Sequence, residues 1–184
     1  MSQLLFGFYP LSNSSIAPIP TVMAPMAVTY ITATHNTVYP LNVHPGANYT
    51  WPVGPAFQGP LDPDHYIEFG ATLLPPTIGG FHQVSYKKLL YTKRSYWGQN
   101  ARQAVIRSSL DGFKGNVAHL TNIPLGHCDT TCLSFDLQSL SPVPAQQPVA
   151  FRLYFFDALG ADWMDLLNDT SGTVTGLEVM GGLE

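Results

Sequence analysis

Carboxylates near the end of the chain are the densest group of side chains that could hold a metal ion. Asp157, Asp162, Asp165 and Asp169 lie close together in the sequence. Hard cations such as Ca²⁺ bind several carboxylate and carbonyl oxygens, so the first three aspartates are the candidate calcium ligands. The competing interpretation is a solvated turn in which Asp162 caps a single helical turn over residues 162–167. Apart from Ca²⁺, no cofactor is predicted.

A second group of side chains has the chemistry of saccharide binding. Aromatic rings stack on sugar faces while neighbouring donors bind the hydroxyl groups. Packing inside a hydrophobic core is the competing explanation for these aromatic residues. The candidates are Tyr91, Arg94, Tyr96, Trp97 and Trp163.

No set of residues predicts catalysis. Asp62 and Asp64 have the chemistry of a glycosidase acid pair, but beside two prolines we expect them to cap their own backbone in a turn. The sequence has no nucleophile elbow, no phosphate-binding glycine loop and no His-Glu-x-x-His motif. We therefore predict a protein that is not an enzyme, with no catalytic residues.

The only two cysteines, Cys128 and Cys132, stand in the sequence His-Cys-Asp-Thr-Thr-Cys. In an oxidising compartment this spacing allows a disulfide that closes a small loop. A zinc site with His127 and His119 is one alternative, and two reduced thiols are the other.

The distribution of charge is the most informative feature of the chain. Residues 1–61 contain no Asp, Glu, Lys or Arg, whereas roughly a quarter of an ordinary protein surface is charged. Such a stretch is expected to be buried, covered by glycans or packed against other copies of the chain. The formal net charge of −4 argues against nucleic-acid binding, and no apolar run has the length of a membrane span.

Proline within this uncharged stretch predicts an extended arm over residues 11–25. Proline blocks helix and central-strand pairing, and a pre-extended segment loses little chain entropy when it docks on a neighbour's sheet edge. The predicted assembly residues are Leu11, Ile16, Pro18, Ile19, Pro20, Val22, Met23 and Pro25.

The remaining charges are also segregated along the chain. Six of the eight basic residues fall between 87 and 107, and the stretch from residue 129 onward has eight acidic residues and one basic residue. One interpretation places basic and acidic strands side by side in one sheet. The other is head-to-tail contact between copies, with a basic patch against an acidic patch.

Alternation of apolar and polar residues predicts many short strands, and sixteen Pro and sixteen Gly argue against long helices. Turns spaced along the chain favour a two-sheet antiparallel sandwich, with residues 36–64 as a long loop. Residues 1–63 form a strand, arm and loop integrated with the sandwich, and residues 64–184 form its core, in one domain overall. The predicted strands cover 4–9, 27–34, 65–73, 82–97 (a strand or hairpin), 104–110, 117–123, 133–138, 149–155 and 174–179.

Three stretches carry a resemblance to a known family. Arg107-Ser-Ser-Leu-Asp-Gly-Phe113, Leu133-Ser-Phe-Asp-Leu137 and Val149-Ala-Phe-Arg-Leu-Tyr-Phe155 resemble the jelly-roll domains of exported bacterial proteins of the PEP-CTERM class. Residues 157–165 and Leu177-Glu-Val resemble the closing pattern of that family, so the match covers about residues 64–182. The resemblance implies an all-β, antiparallel two-sheet jelly roll, export and a setting outside the cell or at its surface. It implies no catalytic residues.

Three functions are consistent with these observations. The first is a structural subunit of an extracellular filament, sheath or surface layer, which self-assembles through its uncharged N-terminal region into a homopolymer. The second is a carbohydrate-binding module with a polysaccharide as its partner. The third is a virus-like coat subunit, although the chain lacks a basic N-terminal arm for genome packaging.

Overall fold

The computed structural model of the protein describes residues 3–9, 19–22, 26–34, 42–44, 48–53, 58–73, 80–95, 98–125, 130–144, 146–160, 162–166 and 176–184. These ranges contain β-strands and one 3₁₀ turn, Ser109–Asp111. The strands are β1 (Gln3–Tyr9), β2 (Ile19–Val22), β3 (Met26–Thr34), β4 (Asn42–His44), β5 (Asn48–Val53), β6 (Tyr66–Leu73), β7 (Gln83–Ser95), β8 (Ala101–Ser108), β9 (Ala118–Leu120), β10 (Thr130–Asp136), β11 (Val143–Pro144), β12 (Val149–Ala158), β13 (Asp162–Leu166) and β14 (Leu177–Leu183).

The strands form two antiparallel sheets that pack face to face. The first sheet has the order β2-β1-β14-β7-β13-β5-β4, and β10 and β11 also pair with the long strand β7. The second sheet has the order β3-β6-β12-β8-β9. Within the described ranges, no helix has the length and apolarity that crossing a membrane requires.

Eight of these strands have the order of a jelly roll. In the first sheet β1, β14, β7 and β10 are successive neighbours, and in the second sheet β6, β12, β8 and β9 are. This interleaving of chain segments between two sheets is the double Greek-key arrangement. The prediction of an all-β, antiparallel two-sheet jelly-roll sandwich is therefore confirmed. Strands from residues 1–63 belong to both sheets, because β1 pairs with β14 and β3 pairs with β6.

The core lies between the sheets and is filled by alternate residues of each strand. In β10, Leu133 and Phe135 are buried while Ser134 and Asp136 are exposed. The inward side chains of β6 and β12 also meet, because the rings of Phe69 and Phe151 stack at 5.9 Å. A side chain on every second position faces the partner sheet, which is why the period of two in the sequence predicted these strands.

Two predictions about local structure are wrong. Residues 36–64 were expected to form a long loop, but they contain β4 and β5, which pair with each other. Residues 162–167 were expected to form at most a helical turn, but Asp162–Leu166 is β13. This strand pairs with β5 on one side and with β7 on the other, and such tertiary pairing overrides weak local preference.

The charged strands lie side by side in the first sheet. The basic strand β7 is its long centre, and its neighbours β10, β13 and β14 contribute acidic residues at positions facing it. Lys88 lies opposite Asp136, and Arg94 lies opposite Asp165. This register matches the first interpretation of the segregated charge, in which basic and acidic strands lie side by side in one sheet.

Candidate functional site

Three edge strands of the sandwich come from the uncharged stretch of the sequence. Among the described strands, β2 and β4 end the strand path of the first sheet, and β3 is one edge of the second. None of these three strands contains Asp, Glu, Lys or Arg. Strand edges carry backbone N–H and C=O groups that can pair with another chain, and natural proteins usually protect them with charged residues, above all Lys. We call β2, β3 and β4 the uncharged edges.

The predicted assembly residues are only partly within the described ranges. Ile19, Pro20 and Val22 lie in β2, which pairs with Phe6–Tyr9 of β1 in the same chain. This part of the arm is therefore one edge of its own sheet. The predicted positions at Leu11, Ile16, Pro18, Met23 and Pro25 lie outside the described residues.

A second feature is a stack of aromatic and arginine side chains on the outer face of the second sheet. Cζ of Arg152 lies 3.9 Å from the centre of the Tyr66 ring and 3.8 Å from the centre of the Phe113 ring. Nε of Arg152 donates to Oε2 of Glu68 at 2.8 Å, and both side chains are about three-quarters buried. Burial alone would lower the pKa of Arg152, but hydrogen bonds with Glu68 and Tyr154 outweigh it and raise that pKa. The guanidinium is thus held charged between two rings.

The loop after β8 carries one of these two rings. Asp111 accepts hydrogen bonds from the backbone N–H groups of Gly115 at 2.7 Å and Lys114 at 3.2 Å, which closes the loop on itself. These donors, with Gly115 the strongest, hold the pKa of Asp111 below its ordinary value. Phe113 has a φ of 62°, a conformation that is uncommon for residues other than glycine. The loop therefore accepts a strained backbone where it places the ring on Arg152.

Arg107 lies next to Arg152 in the same sheet, since the two residues are directly opposite each other on β8 and β12. Its Nε donates to Oδ1 of Asn116 at 2.9 Å, and its Nη1 donates to the Phe113 carbonyl at 3.4 Å. Its Cζ lies 5.2 Å from the centre of the Tyr154 ring. Arg107 therefore contacts the loop through an amide and a backbone carbonyl, neither of which carries a charge.

Asp157, a predicted calcium ligand, is engaged in a different interaction. Its carboxylate accepts hydrogen bonds from Arg102 at 2.8 Å and Gln103 at 3.2 Å. The Arg102 hydrogen bond is the main cause that lowers the pKa of Asp157. The other two predicted ligands, Asp162 and Asp165, lie in β13 opposite Val53 and Thr50. Within the part of the chain that the structure describes, no three His, Cys, Asp or Glu side chains converge as metal ligands.

The predicted saccharide-binding residues do not share one environment. Tyr91 is fully buried, and its ring lies 5.4 Å from that of Phe155, so it belongs to the core and presents no face to a sugar. Arg94 lies in β7 and Trp163 in β13, where Trp163 is opposite Pro52. Tyr96 and Trp97 lie outside the described residues.

Asp62 and Asp64 form the predicted turn. Oδ1 of Asp62 accepts the backbone N–H of Asp64 at 2.9 Å, and Oδ2 lies 2.6 Å from Nδ1 of His65. The bond from Asp64 contributes most to lowering the pKa of Asp62. The expectation that these aspartates cap their own backbone is confirmed for Asp62.

Cys132 is an exposed cysteine in β10 and has no sulfur partner among the described residues. Its proposed partner, Cys128, lies outside the described residues. The disulfide between them stays a prediction.

No protein-family model matches the chain, and no curated protein does. The resemblance to PEP-CTERM-class proteins therefore depends on the quoted residues alone. Those residues include Phe113 and Arg152, but their spacing in the sequence gave no indication that the ring of Phe113 stacks on the guanidinium of Arg152.

Proposed function

We propose that the protein is a non-enzymatic structural subunit that self-assembles through its uncharged edges. The observation that carries the proposal is that β2, β3 and β4 are edge strands and that all three come from the stretch without charged residues. The resemblance to exported proteins supports an extracellular or cell-surface filament, sheath or layer as the setting.

Strand addition explains why charge would be missing from these segments. A neighbouring copy that pairs with an edge strand satisfies its open N–H and C=O groups and covers its side chains. A buried, unpaired charge would cost several kcal/mol at such a contact, whereas Thr, Asn and apolar side chains cost little. Because charge at an edge is the usual protection against pairing between copies, its absence favours such pairing.

Both sheets offer an uncharged edge on the same side of the sandwich. β3 of the second sheet lies against β1 and β2 of the first. A partner on this side would meet two neighbouring strands at once. Two adjacent attachment points fix the orientation of one subunit relative to the next, as a regular polymer requires.

The test restores charge to the edges and measures assembly. The triple variant Thr21→Lys, Thr34→Lys and Asn42→Lys puts one lysine on each uncharged edge. The matched control, Gln138→Lys, Gln146→Lys and Gln147→Lys, adds the same charge at exposed positions outside the strands. Mass in solution is measured by light scattering over a range of concentrations, and particles are viewed by negative-stain electron microscopy. Circular dichroism checks that both variants fold.

We expect the wild type and the control to assemble as concentration rises and the edge variant to remain monomeric. Equal assembly of the two triple variants would contradict the proposal. A wild type that stays monomeric at all concentrations and is retained on a polysaccharide column would favour a carbohydrate-binding module instead. Nucleic acid inside purified particles would favour a coat subunit.

A further inference from the structure

Arg107, on the outer face of the second sheet, has no carboxylate partner among the residues that the structure describes. Three arginines have side chains that the structure describes, and two of them bond a carboxylate, Arg102 to Asp157 and Arg152 to Glu68. In the described part of the chain, Arg107 bonds only the Asn116 amide oxygen and the Phe113 carbonyl oxygen. Within the described residues, its Nη2 donates to no acceptor.

The positive charge of Arg107 is also poorly placed for the sheet itself. Arg107 and Arg152 are directly opposite each other on paired strands, and Glu68 lies opposite Arg152 on the next strand. This row of three residues carries one excess positive charge. Like charges at opposite positions destabilise a sheet, so an anion bound here would relieve a repulsion that the protein otherwise retains.

The guanidinium of Arg107 is oriented before a ligand arrives. Its Nε donates to Oδ1 of Asn116 at 2.9 Å, and its Cζ lies 5.2 Å from the centre of the Tyr154 ring. A side chain that is already ordered loses little entropy on binding. Asn116 and the Phe113 carbonyl take one N–H each from Nε and Nη1, which leaves both N–H groups of Nη2 and the second N–H of Nη1 for a carboxylate. These donors are coplanar, an arrangement that lysine cannot supply.

We propose that Arg107 binds the carboxylate of an acidic saccharide. The Asn116 amide lies beside the guanidinium of Arg107, and the half-buried ring of Phe113 lies on Arg152, the residue opposite Arg107. These groups offer a hydrogen-bonding group and an aromatic surface for a sugar ring. Strand addition at the uncharged edges extends the sheets sideways and leaves their outer faces uncovered. Each single subunit therefore presents the site, and the site does not depend on self-assembly.

Binding is tested with polygalacturonate and, as its neutral match, the same polymer fully methyl-esterified. Calorimetry is performed on dilute protein whose monomeric mass has been checked. Arg107→Gln removes the site, and Arg102→Gln removes an arginine of the same strand that is already paired with Asp157. Both variants change the net charge equally. Arg107→Lys retains the charge without the planar fork.

We expect the wild type and Arg102→Gln to bind polygalacturonate and not its ester. We expect Arg107→Gln to bind polygalacturonate with an affinity at least about tenfold lower than that of the wild type. Arg107→Lys should bind polygalacturonate several-fold more weakly than the wild type. If Arg107→Gln does not fold, the affinity of Arg107→Lys tests whether the guanidinium is required. Equal losses in Arg102→Gln and Arg107→Gln, binding of the ester, or no binding by the wild type would overturn the proposal. Equally tight binding of polyglutamate would overturn the saccharide in favour of an acidic peptide.

Discussion

Cζ of Arg152 lies 3.8 Å from the centre of the Phe113 ring, so a side chain of β12 holds the tip of the loop that follows β8. A cation on an aromatic face contributes about 0.5–2 kcal/mol, depending on how much water is excluded. We expect Phe113→Ala to lower the free energy of unfolding by about 1–2 kcal/mol, measured by urea denaturation. Alanine keeps a Cβ, so the cost of the positive φ is unchanged.

The control for this prediction is Phe113→Tyr, which retains the ring. We expect its stability to lie within about 0.5 kcal/mol of the wild type. If alanine and tyrosine at this position gave the same urea midpoint, the stacked ring would not be what stabilises the loop.

The carboxylate of Asp111 should make the free energy of unfolding depend on pH in the acid range. Backbone donors hold its pKa below the ordinary value of 3.8 in the folded protein. The stabilisation is therefore present above that value and is lost as the pH falls through the lower folded pKa. Asp111→Asn should flatten the decline in unfolding free energy between pH 5 and pH 2. At pH 7 it should cost less than about 1 kcal/mol, because this carboxylate is exposed to solvent.

The comparison for Asp111 is Asp64→Asn, which removes an exposed carboxylate that accepts no such pair of backbone bonds. We expect Asp64→Asn, which removes the same charge, to leave the free energy of unfolding at pH 7 within about 0.5 kcal/mol of the wild type. An unchanged profile in Asp111→Asn would show that the loop does not depend on this carboxylate.

Gly181 tests the packing of β14 against the start of the sandwich. A Cβ at this position would overlap the Ser85 carbonyl oxygen and come 2.6 Å from Cδ1 of Leu5. We expect Gly181→Ala to lower the free energy of unfolding by about 3 kcal/mol or more. At Gly59 a Cβ would meet no atom within 4 Å, so Gly59→Ala should be nearly neutral. Similar melting temperatures for the two variants would contradict the close packing of Gly181 against Ser85 and Leu5.

The sandwich could be predicted from sequence because its strands have one buried and one exposed face. Leu133, Phe135 and Leu137 are all buried, and each alternates with a polar residue. β13 could not be predicted in this way, because Asp162–Leu166 is defined by pairing with β5 and β7. Its sequence carries no alternation that distinguishes a strand from a capped turn.

The sequence predicted the lack of charge in the uncharged edges but not their position at the edges of the sheets. The absence of charge before Asp62 is visible in the sequence, but which of those segments become edge strands is decided by the order of strands in the sheets. The stack around Arg152 was not predictable, since Tyr66 and Phe113 reach it from segments far apart in the chain. Conversely, the buried position of Tyr91 shows that an aromatic residue in a basic stretch is no guide to exposure.

The position of β14 between β1 and β7 has a consequence for biosynthesis. β14 follows the other described strands in the chain, so the ribosome completes β1 and β7 long before the segment that joins them exists. The gap in the first sheet closes only when this segment emerges, which makes folding a late and long-range event. Until then the nascent polypeptide exposes the unpaired edges of β1 and β7, which are a binding site for chaperones.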